Sequence, residues 1–356
     1  MKKLIFSVAL LSAALSASAE EHPLWMRYPA ISPDGTTIAF AYKGDLYSVS
    51  VNGGEARQLT THAAFDSHPV WSPDSKKIAF QSNREGSLDI FVIDAKGGAP
   101  TRLTTNSGSE TPIAFADNDH VLYSASLQPT AQSIIFGDNT FPQVYKVSTK
   151  GGRPELFSTL TMENISIAKN GDILYHDKKG YEDPWRKHQK SPIARDIWLK
   201  SNGKFAKQTT FAGEDRSPVW TSDEKSFFYL SEQDGTFNIY RRSLNSSSDK
   251  QITHHKGNPV RFLTASSADL LCYGYDGEIY TVKEGGEPQK VNISITTDND
   301  APSLVRQIKS WGATEISVSP DAKEVAFVMH GDVYVTSVEY TTTKRITDTP
   351  QQERNL

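Results

Sequence analysis

The 356-residue chain has the composition of a globular protein, with 37% hydrophobic and 22% charged residues. Its 38 basic and 42 acidic residues give a formal net charge of −4, and no basic run stands out. This pattern argues against a nucleic-acid-binding groove and a polybasic membrane patch. A single cysteine, Cys272, excludes an internal disulfide, a redox pair and a thiolate zinc cluster. Its neighbours Leu271 and Tyr273 predict that it is buried.

The N-terminus has the pattern of a secretory signal. Lys2 and Lys3 form a short basic segment, residues 4–15 form an apolar run, and Ala17-Ser18-Ala19 offers small residues for cleavage. We therefore expect a signal peptide over residues 1–19, and a periplasmic mature chain if the host is Gram-negative. No later stretch approaches the roughly 18 apolar residues of a membrane-spanning helix, so we expect no membrane insertion.

A three-residue motif then recurs seven times, with a polar residue, a branched or aliphatic residue and an aromatic residue in that order. Successive aromatic residues are 40 to 54 residues apart. That interval is typical of a four-stranded propeller blade with loop insertions. We expect the seven aromatic side chains to form the core between blades. They are Tyr47, Phe91, Tyr145, Trp198, Tyr240, Tyr280 and Tyr334.

Turn signals keep the same phase as this motif. Ser-Pro-Asp turns start at Ser32, Ser72 and Ser319, and each is followed by a short β-rich run. Paired glycines follow most of the aromatic residues, and a hydrophobic or polar residue before a threonine closes most repeats. The sequence therefore predicts an all-β propeller of four-stranded antiparallel blades, with about seven repeats over residues 20–356. Seven repeats fit either one closed ring or part of a longer array.

The second repeat shows a family resemblance. Residues 71–74 (Trp-Ser-Pro-Asp), 78–80 (Ile-Ala-Phe) and 89–91 (Asp-Ile-Phe), followed by Arg102-Leu103-Thr104, resemble the WD40-like PD40 repeat. That repeat builds the propellers of TolB and of tricorn-type proteases. Because the repeats begin at Pro29, there is no room for the α/β domain that precedes the propeller of TolB.

An insertion in the fourth repeat, residues 179–188, and the segment 212–216 look like the first propeller of secreted bacterial tricorn-like proteins. The resemblance implies the N-terminal portion of a tricorn-like serine peptidase of family S41. The propeller would gate peptide access and mediate domain or subunit contacts. In that family a second propeller, a PDZ-like module and the protease core follow. We therefore expect the chain to be a fragment that ends at Leu356.

The resemblance implies peptides or protein partners, the missing C-terminal domains and a possible homo-oligomer as partners. An alternative is a stand-alone periplasmic scaffold that is TolB-like in its role and requires a closed ring. A third interpretation is the propeller of a prolyl-oligopeptidase-type enzyme, whose hydrolase domain would also be missing.

No catalytic signature occurs in the sequence. A Gly-x-Ser-x-Gly elbow, a His-Glu-x-x-His motif and a phosphate-binding glycine-rich loop are all absent. We therefore expect no catalytic residue in this chain and no cofactor. His62, Asp66 and His68 are metal-ligating residue types, but their spacing matches no familiar site. Asp-Asn-Asp segments at 117–119 and 298–300 lack the longer loop and the glutamate of a calcium site, so we expect no metal.

Charged residues at the blade entrances suggest a peptide-contacting rim around the channel of the propeller. Innermost strands line the channel of a propeller, so an acidic rim with one arginine could contact peptide termini or charged side chains. The competing interpretation is that these residues cap turns and form hydrogen bonds with neighbouring blades. The candidates are Asp66, Glu110, Glu214, Asp215 and Arg216.

The insertion in the fourth repeat combines aromatic and basic side chains, including Tyr181, Trp185 and Arg186. Exposed clusters of this kind are typical of protein contact sites, so they are candidates for an interface with another domain or subunit. The alternative is a loop that folds onto its own blade with Trp185 as its plug.

Overall fold

The fold is known from a computed structural model, which describes residues 23–127, 141–181, 190–244, 246–296, 310–340, 342–347, 349 and 351–356. These residues form strands, turns and connecting segments, and no helix among them is long and apolar enough to cross a membrane. The predicted signal peptide lies outside the described residues. Seven four-stranded antiparallel sheets confirm the predicted all-β class and its blade type.

The chain divides into two compact units, Met1–Thr296 and Thr297–Leu356. Six of the four-stranded sheets lie in the first unit, and the seventh lies in the second. The sequence repeat had suggested one propeller over residues 20–356. It correctly predicts the seven sheets but carries no signal for this division.

Each four-stranded sheet takes its strands from one stretch of chain, so among the described residues no blade borrows a strand from another repeat. Blade 1 consists of β1 (Arg27–Ile31), β2 (Thr37–Tyr42), β3 (Asp45–Ser50) and β5 (Arg57–Gln58). Blade 2 consists of β6 (Asp66–Trp71), β7 (Lys77–Ser82), β8 (Asp89–Asp94) and β9 (Thr101–Arg102). Blade 3 consists of β10 (Glu110–Asp117), β11 (His120–Ala125), β12 (Gln143–Ser148) and β13 (Glu155–Ser158).

The remaining blades of the first unit follow the same order. Blade 4 consists of β14 (Met162–Ile167), β15 (Ile173–Asp177), β16 (Ile197–Ser201) and β17 (Lys204–Lys207). Blade 5 consists of β18 (Asp215–Trp220), β19 (Ser226–Ser231), β20 (Asn238–Ser243) and β21 (Asp249–Gln251). Blade 6 consists of β22 (Arg261–Ala265), β23 (Leu271–Tyr275), β24 (Glu278–Val282) and β25 (Gln289–Lys290).

The sheet of the second unit repeats this plan. Its strands are β27 (Ala313–Val318), β28 (Glu324–Met329), β29 (Asp332–Ser337) and β30 (Thr343–Arg345). Two further short strands, β4 (Gly54–Glu55) and β26 (Ile293–Ser294), pair in parallel within the first unit.

The motif aromatics form cross-strand pairs inside each blade. Tyr47 lies directly opposite Phe40 on the neighbouring strand, and their ring centroids are 5.8 Å apart. Phe91 and Phe80 repeat this arrangement at 5.9 Å. Such pairs add packing energy between adjacent strands. The expectation of a purely inter-blade core is therefore refined, because the rings first stack within their own sheet. Cys272 is buried, as the sequence predicted.

The threonine that closes the repeat ties the outermost strand to the third strand. Its hydroxyl oxygen accepts a hydrogen bond from the backbone N–H that follows the polar residue of the motif. The N–H of Leu46 donates to Thr60 at 2.9 Å, and the N–H of Ile239 donates to Thr253 at 2.9 Å. Thr253 also donates to Asn238 Oδ1 at 2.9 Å. The repeated threonine thus satisfies a buried backbone donor in each of these blades.

We expect Thr253→Val to destabilise the protein by about 1–3 kcal/mol, because the buried N–H of Ile239 loses its acceptor. Thr253→Ser keeps the hydroxyl and is the matched control, with a smaller loss. Urea unfolding of both variants measures the difference. Equal stability of the two variants would show that the hydroxyl contributes nothing.

The six blades of the first unit pack face to face in a closed circle, with each innermost strand beside the next. Tryptophans at the ends of two innermost strands bridge neighbouring blades. Trp71 Nε1 donates to the carbonyl of Ala30 at 2.8 Å, and Trp220 Nε1 donates to the carbonyl of Ser166 at 3.1 Å. The ring closes between blades 6 and 1, where the N–H of Ile31 donates to Thr264 Oγ1 at 3.1 Å.

A segment after blade 6 secures this closure. Its strand β26 runs beside β4, the short strand between β3 and β5, and Val291 and Ile293 are buried in the core shared with blade 1. Gly53 lies at the contact between β4 and the segment after blade 6, and its φ is 83°. The carbonyl oxygen of Asn292 lies within 2.4 Å of the position that a Cβ on residue 53 would occupy. Only glycine fits both the backbone conformation and the space.

We expect Gly53→Ala to weaken the ring closure, because the new Cβ collides with the backbone of Asn292. Gly285 has a similar φ of 81° with nothing within 4 Å of a Cβ, so Gly285→Ala is the matched control for backbone strain alone. Gly53→Ala should lose more stability than Gly285→Ala, by about 1–3 kcal/mol in urea unfolding. If both variants lose the same amount, the close contact with Asn292 is not a constraint.

Candidate functional site

A central cavity, which we call the channel, lies between the innermost strands of the first unit. It has a volume of about 670 Å³, and all six blades contribute residues to the wall. The same part of each innermost strand forms this wall, because each of these strands carries a bulge near its start. A bulge re-aims side chains and is common beside functional sites.

At the bulge of five strands, a residue other than glycine adopts a left-handed backbone conformation, with φ between 48° and 58°. We call this the bulge position. In blade 3 the shift in strand pairing falls at Pro112 instead. All these residues line the cavity. The bulge position is occupied by Tyr28, His68, Asn164, Ser217 and Phe262 in blades 1, 2, 4, 5 and 6.

Three of these residues form a continuous aromatic wall across blades 6, 1 and 2. The ring of Tyr28 lies between the other two rings, with centroid distances of 3.7 Å to His68 and 4.7 Å to Phe262. Burial lowers the pKa of His68 to about 4, so the imidazole is neutral near pH 7. Prolines 29, 69 and 112 continue this surface, which makes this side of the channel largely apolar.

Blades 4 and 5 supply a charged wall. Glu163 Oε2 accepts hydrogen bonds from His176 Nε2 at 3.1 Å and from Arg195 Nε at 3.0 Å. Lys178 Nζ lies 4.0 Å from the other carboxylate oxygen of Glu163. Burial opposes ionisation of Glu163, but His176, Arg195 and Lys178 outweigh it and hold its pKa well below the usual range.

The network continues into blade 5 through Glu214. One carboxylate oxygen lies 3.4 Å from Arg195 Nη1, and the other accepts a hydrogen bond from Arg216 Nε at 2.8 Å. Burial opposes ionisation, but the hydrogen bond and charge of Arg216, with the charge of Arg195, lower the pKa of Glu214. The guanidinium of Arg216 also lies 5.4 Å from the ring centroid of Phe237. Two arginines thus share one buried carboxylate.

His176 is fixed in one tautomer by its two partners. Its Nε2–H donates to Glu163, and its Nδ1 accepts the backbone N–H of Ser217 at 3.1 Å. Burial lowers the pKa of His176, so the ring is neutral. Because Nδ1 is already occupied by a backbone donor, this serine, histidine and glutamate cannot act as a nucleophilic triad. The cluster orders the wall instead.

The sequence profile described as the tricorn protease N-terminal β-propeller domain matches residues 23–288. This span covers most of the chain. The chain belongs to the tricorn N-terminal propeller family. It is 25% identical over 322 residues to tricorn protease homolog 1 of Streptomyces coelicolor, covering 88% of this chain and 29% of that protein. It is 24% identical over 342 residues to the tricorn protease of Thermoplasma acidophilum, covering 90% and 30%.

A solved crystal structure of tricorn protease also resembles the chain, with a TM-score of 0.68 and 20% identity. The match covers 93% of this chain and 32% of that protein. The chain therefore spans about 30% of the length of these relatives.

In this tricorn-family propeller, only one of the five proposed rim residues lines the channel. Arg216 lies on the wall, whereas Glu214 is buried behind it and pairs with Arg195 and Arg216. Asp66, Glu110 and Asp215 start three equivalent innermost strands and are fully or almost fully buried. The structure therefore places these three residues away from the lining of the cavity.

The three buried carboxylates have different surroundings. Asp66 Oδ2 accepts a hydrogen bond from Arg84 Nη2 at 2.8 Å. Glu110 and Asp215 have no basic side chain within ion-pair distance among the described residues. Burial accordingly raises the pKa of each to about 7.

The pKa of Glu110 makes a prediction about stability. In the unfolded chain the pKa of a glutamate is about 4.3. Between that pH and about 7, Glu110 therefore carries a proton in the folded state that it has lost in the unfolded state. The stabilisation is complete below the lower value and is lost as the pH rises through the upper one.

Between pH 5 and pH 8, we therefore expect the native protein to lose about 1–2 kcal/mol more unfolding free energy than Glu110→Gln. Urea unfolding at both pH values measures this change. Glu155→Gln on the outer strand of the same blade removes an exposed carboxylate and is the control, which should follow the native protein. Parallel behaviour of native protein and Glu110→Gln would show that Glu110 does not titrate in this range.

The candidate metal ligands are not brought together. His62 Nδ1 accepts the backbone N–H of Ala64, Asp66 binds Arg84, and His68 stacks on Tyr28. Within the described part of the chain, no group of three or more histidine, cysteine, aspartate and glutamate side chains could hold a metal ion. Asp117 instead pairs with His120 at 2.9 Å, and residues 298–300 lie outside the described residues.

Of the proposed interface residues, Tyr181 borders the channel cavity and is 82% exposed. Trp185 and Arg186 lie outside the described residues. Sequence inspection missed Tyr28, Phe262, Glu163, His176 and Arg195. Aligning the innermost strands at their bulges would have placed Tyr28, His68 and Phe262 in one column. His176 and Arg195 lie on other parts of blade 4, and no repeat signal marks them.

Proposed function

We propose that this chain is the non-catalytic propeller portion of a tricorn-like serine peptidase of family S41. In this role it controls the access of peptides and contacts other domains or subunits of the protease. Family membership supports the parent enzyme class, and the observation that carries the gating role is the channel. Its wall takes residues from all six blades, and its volume of about 670 Å³ lies within the range of small-ligand sites.

The second unit supports the proposed domain contacts. Its sheet carries apolar side chains that remain exposed, including Ile316 at 68% and Val318 at 58%. At the position equivalent to Val318 in the first unit, Ile31 and Phe115 are buried. A propeller blade needs neighbours on both faces, so we propose that this sheet packs against further blades of the same protein.

We also propose that the protein is secreted through the predicted signal peptide and works in the periplasm if its host is Gram-negative. Peptides are the proposed ligands of the channel, and no residue of this chain takes a catalytic role. The closed ring of the first unit would also suit a stand-alone scaffold, so the size of the native protein separates the two functions.

The size is measured by raising an antibody against this chain and determining the mass of the native protein in its source organism. We expect a mass about three times that of this chain, because the chain spans 29% and 30% of two relatives. A mass close to that of the chain alone would overturn the protease assignment and favour the scaffold.

The gating role is tested by narrowing the channel in the parent protein. Cys272 is the only cysteine of this chain and is buried, so within this chain a new cysteine can be labelled selectively. Thr111→Cys places a thiol on the channel wall, and Lys204→Cys on the outer strand of blade 4 is the control.

A bulky maleimide on Thr111→Cys should slow peptide hydrolysis about tenfold or more, since a plug in the path reduces access rather than chemistry. A small methylthio label at the same thiol, and the bulky label on Lys204→Cys, should have little effect. Unchanged hydrolysis with the bulky label in the channel would overturn gating by this propeller.

A further inference from the structure

The two sides of the channel differ in chemistry. We propose that the channel binds short peptides that carry a carboxylate within two residues of an aromatic or large apolar side chain. The carboxylate would face the charged wall of blades 4 and 5, and the apolar side chain would face Tyr28 and Phe262. This inference rests on the proposed function, because it names the class of peptide that the channel would admit.

The charge of the wall opposes the charge of the chain. Among the described residues that line the cavity, four side chains are cationic and only Glu163 is anionic. Glu214, directly behind the wall, brings the anionic count to two. His68 and His176 are neutral. The cationic residues are Lys178, Arg195, Arg216 and Arg261.

A net cationic cavity in a chain with a formal charge of −4 is a local inversion of charge. Clefts lined by one sign of charge with low-dielectric walls concentrate ligands of the opposite sign. Arg195 is held by Glu163 and Glu214, whereas Lys178 Nζ lies 4.0 Å from the nearest carboxylate oxygen of the described residues, at the limit of an ion pair. Lys178 can therefore turn toward a ligand at little cost.

The aromatic wall is built at a conformational cost. Tyr28 and Phe262 hold φ values of 54° and 58°, where bulky residues are rarely found, and His68 of the same wall has a φ of 55°. Blade 4 fills the same position with Asn164, which tolerates this region more easily, and blade 5 fills it with Ser217. Strain of this kind persists where the structure uses it, so aromatic side chains at three adjacent blades indicate a surface for apolar contact.

The arrangement of the blades puts the two walls on different sides. The ring order is 1 to 6, so blades 4 and 5 lie across the channel from blades 1 and 2. Arg261 and Phe262 are consecutive in blade 6, where the charged and aromatic walls meet. A short peptide with acidic and aromatic groups within two residues of each other can contact both walls at once, whereas neither group alone contacts both.

Binding is tested on the 356-residue chain by isothermal titration with four matched peptides. The first is acetyl-Phe-Ala-Glu-amide. The second replaces its Glu with Gln, the third replaces its Phe with Ala, and the fourth is acetyl-Phe-Ala-Gln with a free C-terminal carboxylate. The fourth peptide separates a side-chain carboxylate from a terminal one.

We expect the first peptide to bind, and we expect its affinity to fall when salt is added. The Gln-amide and Ala peptides should each bind about tenfold or more weakly, because each loses its contact with one wall. Binding by the fourth peptide would identify any carboxylate as sufficient, and its failure would restrict the site to acidic side chains. Equal binding of the Glu and Gln amides overturns the proposal. The absence of binding by both the first and the fourth peptide also overturns it.

Three substitutions locate the site. Lys178→Gln should weaken binding of the Glu-amide peptide and leave binding of the Gln-amide peptide unchanged. Phe262→Asn keeps a residue that tolerates positive φ and should reduce binding of the three Phe peptides but not of the Ala peptide. Lys204→Gln on outer strand β17 removes an exposed charge of the same kind and should change nothing. Unchanged binding in both channel variants places the peptide elsewhere and overturns the proposal.

The gating role and the peptide selectivity are tested by experiments with independent outcomes. If no peptide binds but the bulky label on Thr111→Cys still blocks hydrolysis, the selectivity is wrong and gating stands. If the acidic peptide binds as expected but the label has no effect on hydrolysis, the site stands and the gating role is wrong.

Discussion

A four-stranded sheet of this composition has two apolar faces, and neither face can remain in water. In the first unit this constraint is met by placing six sheets side by side in a closed ring, so each covers its neighbours. Burial of apolar area is the dominant stabilising term in folding, which explains why side chains such as Phe40, Phe80 and Tyr123 are fully buried. The channel is a consequence of this packing, because six innermost strands cannot all reach the axis.

The ring closes without an exchanged strand. Each blade is complete in its own repeat, and blade 6 meets blade 1 through side-chain packing, a hydrogen bond from Ile31 to Thr264 and the pairing of β26 with β4. Local closure of this kind leaves the rest of the sheet pattern unchanged. It also requires close packing at a few positions, and the turn at Gly53 is one of them.

The scaffold separates stability from channel chemistry. In blades 1, 2, 4, 5 and 6, the bulge position of the innermost strand lines the cavity. Substitution at the bulge position therefore changes the lining while the strand order of the blade stays the same. This explains how one repeated backbone carries an aromatic wall in blades 6, 1 and 2 and a charged wall in blades 4 and 5.

The sequence by itself determined the repeated elements, because each depends on contacts within one blade. The spacing of the aromatics, the Ser-Pro-Asp turns and the closing threonines identified seven four-stranded sheets and their strand order. Ser32 Oγ donates to Asp34 at 2.6 Å and Ser72 Oγ to Asp74 at 2.7 Å, so these turns are set by residues two positions apart. Local chemistry of this kind can be read directly from neighbouring residues.

Only the tertiary structure decided how the sheets are grouped and which polar residues reach the channel. The division after residue 296 depends on packing between repeats that are similar in sequence. Asp215 and Arg216 are adjacent, yet Asp215 is buried behind the wall and Arg216 lines it. Successive side chains of a strand point to opposite faces, and the bulge shifts that alternation, so the sequence alone could not assign the two residues. His176 and Arg195 join Glu163 only because separate segments of blade 4 meet in the fold.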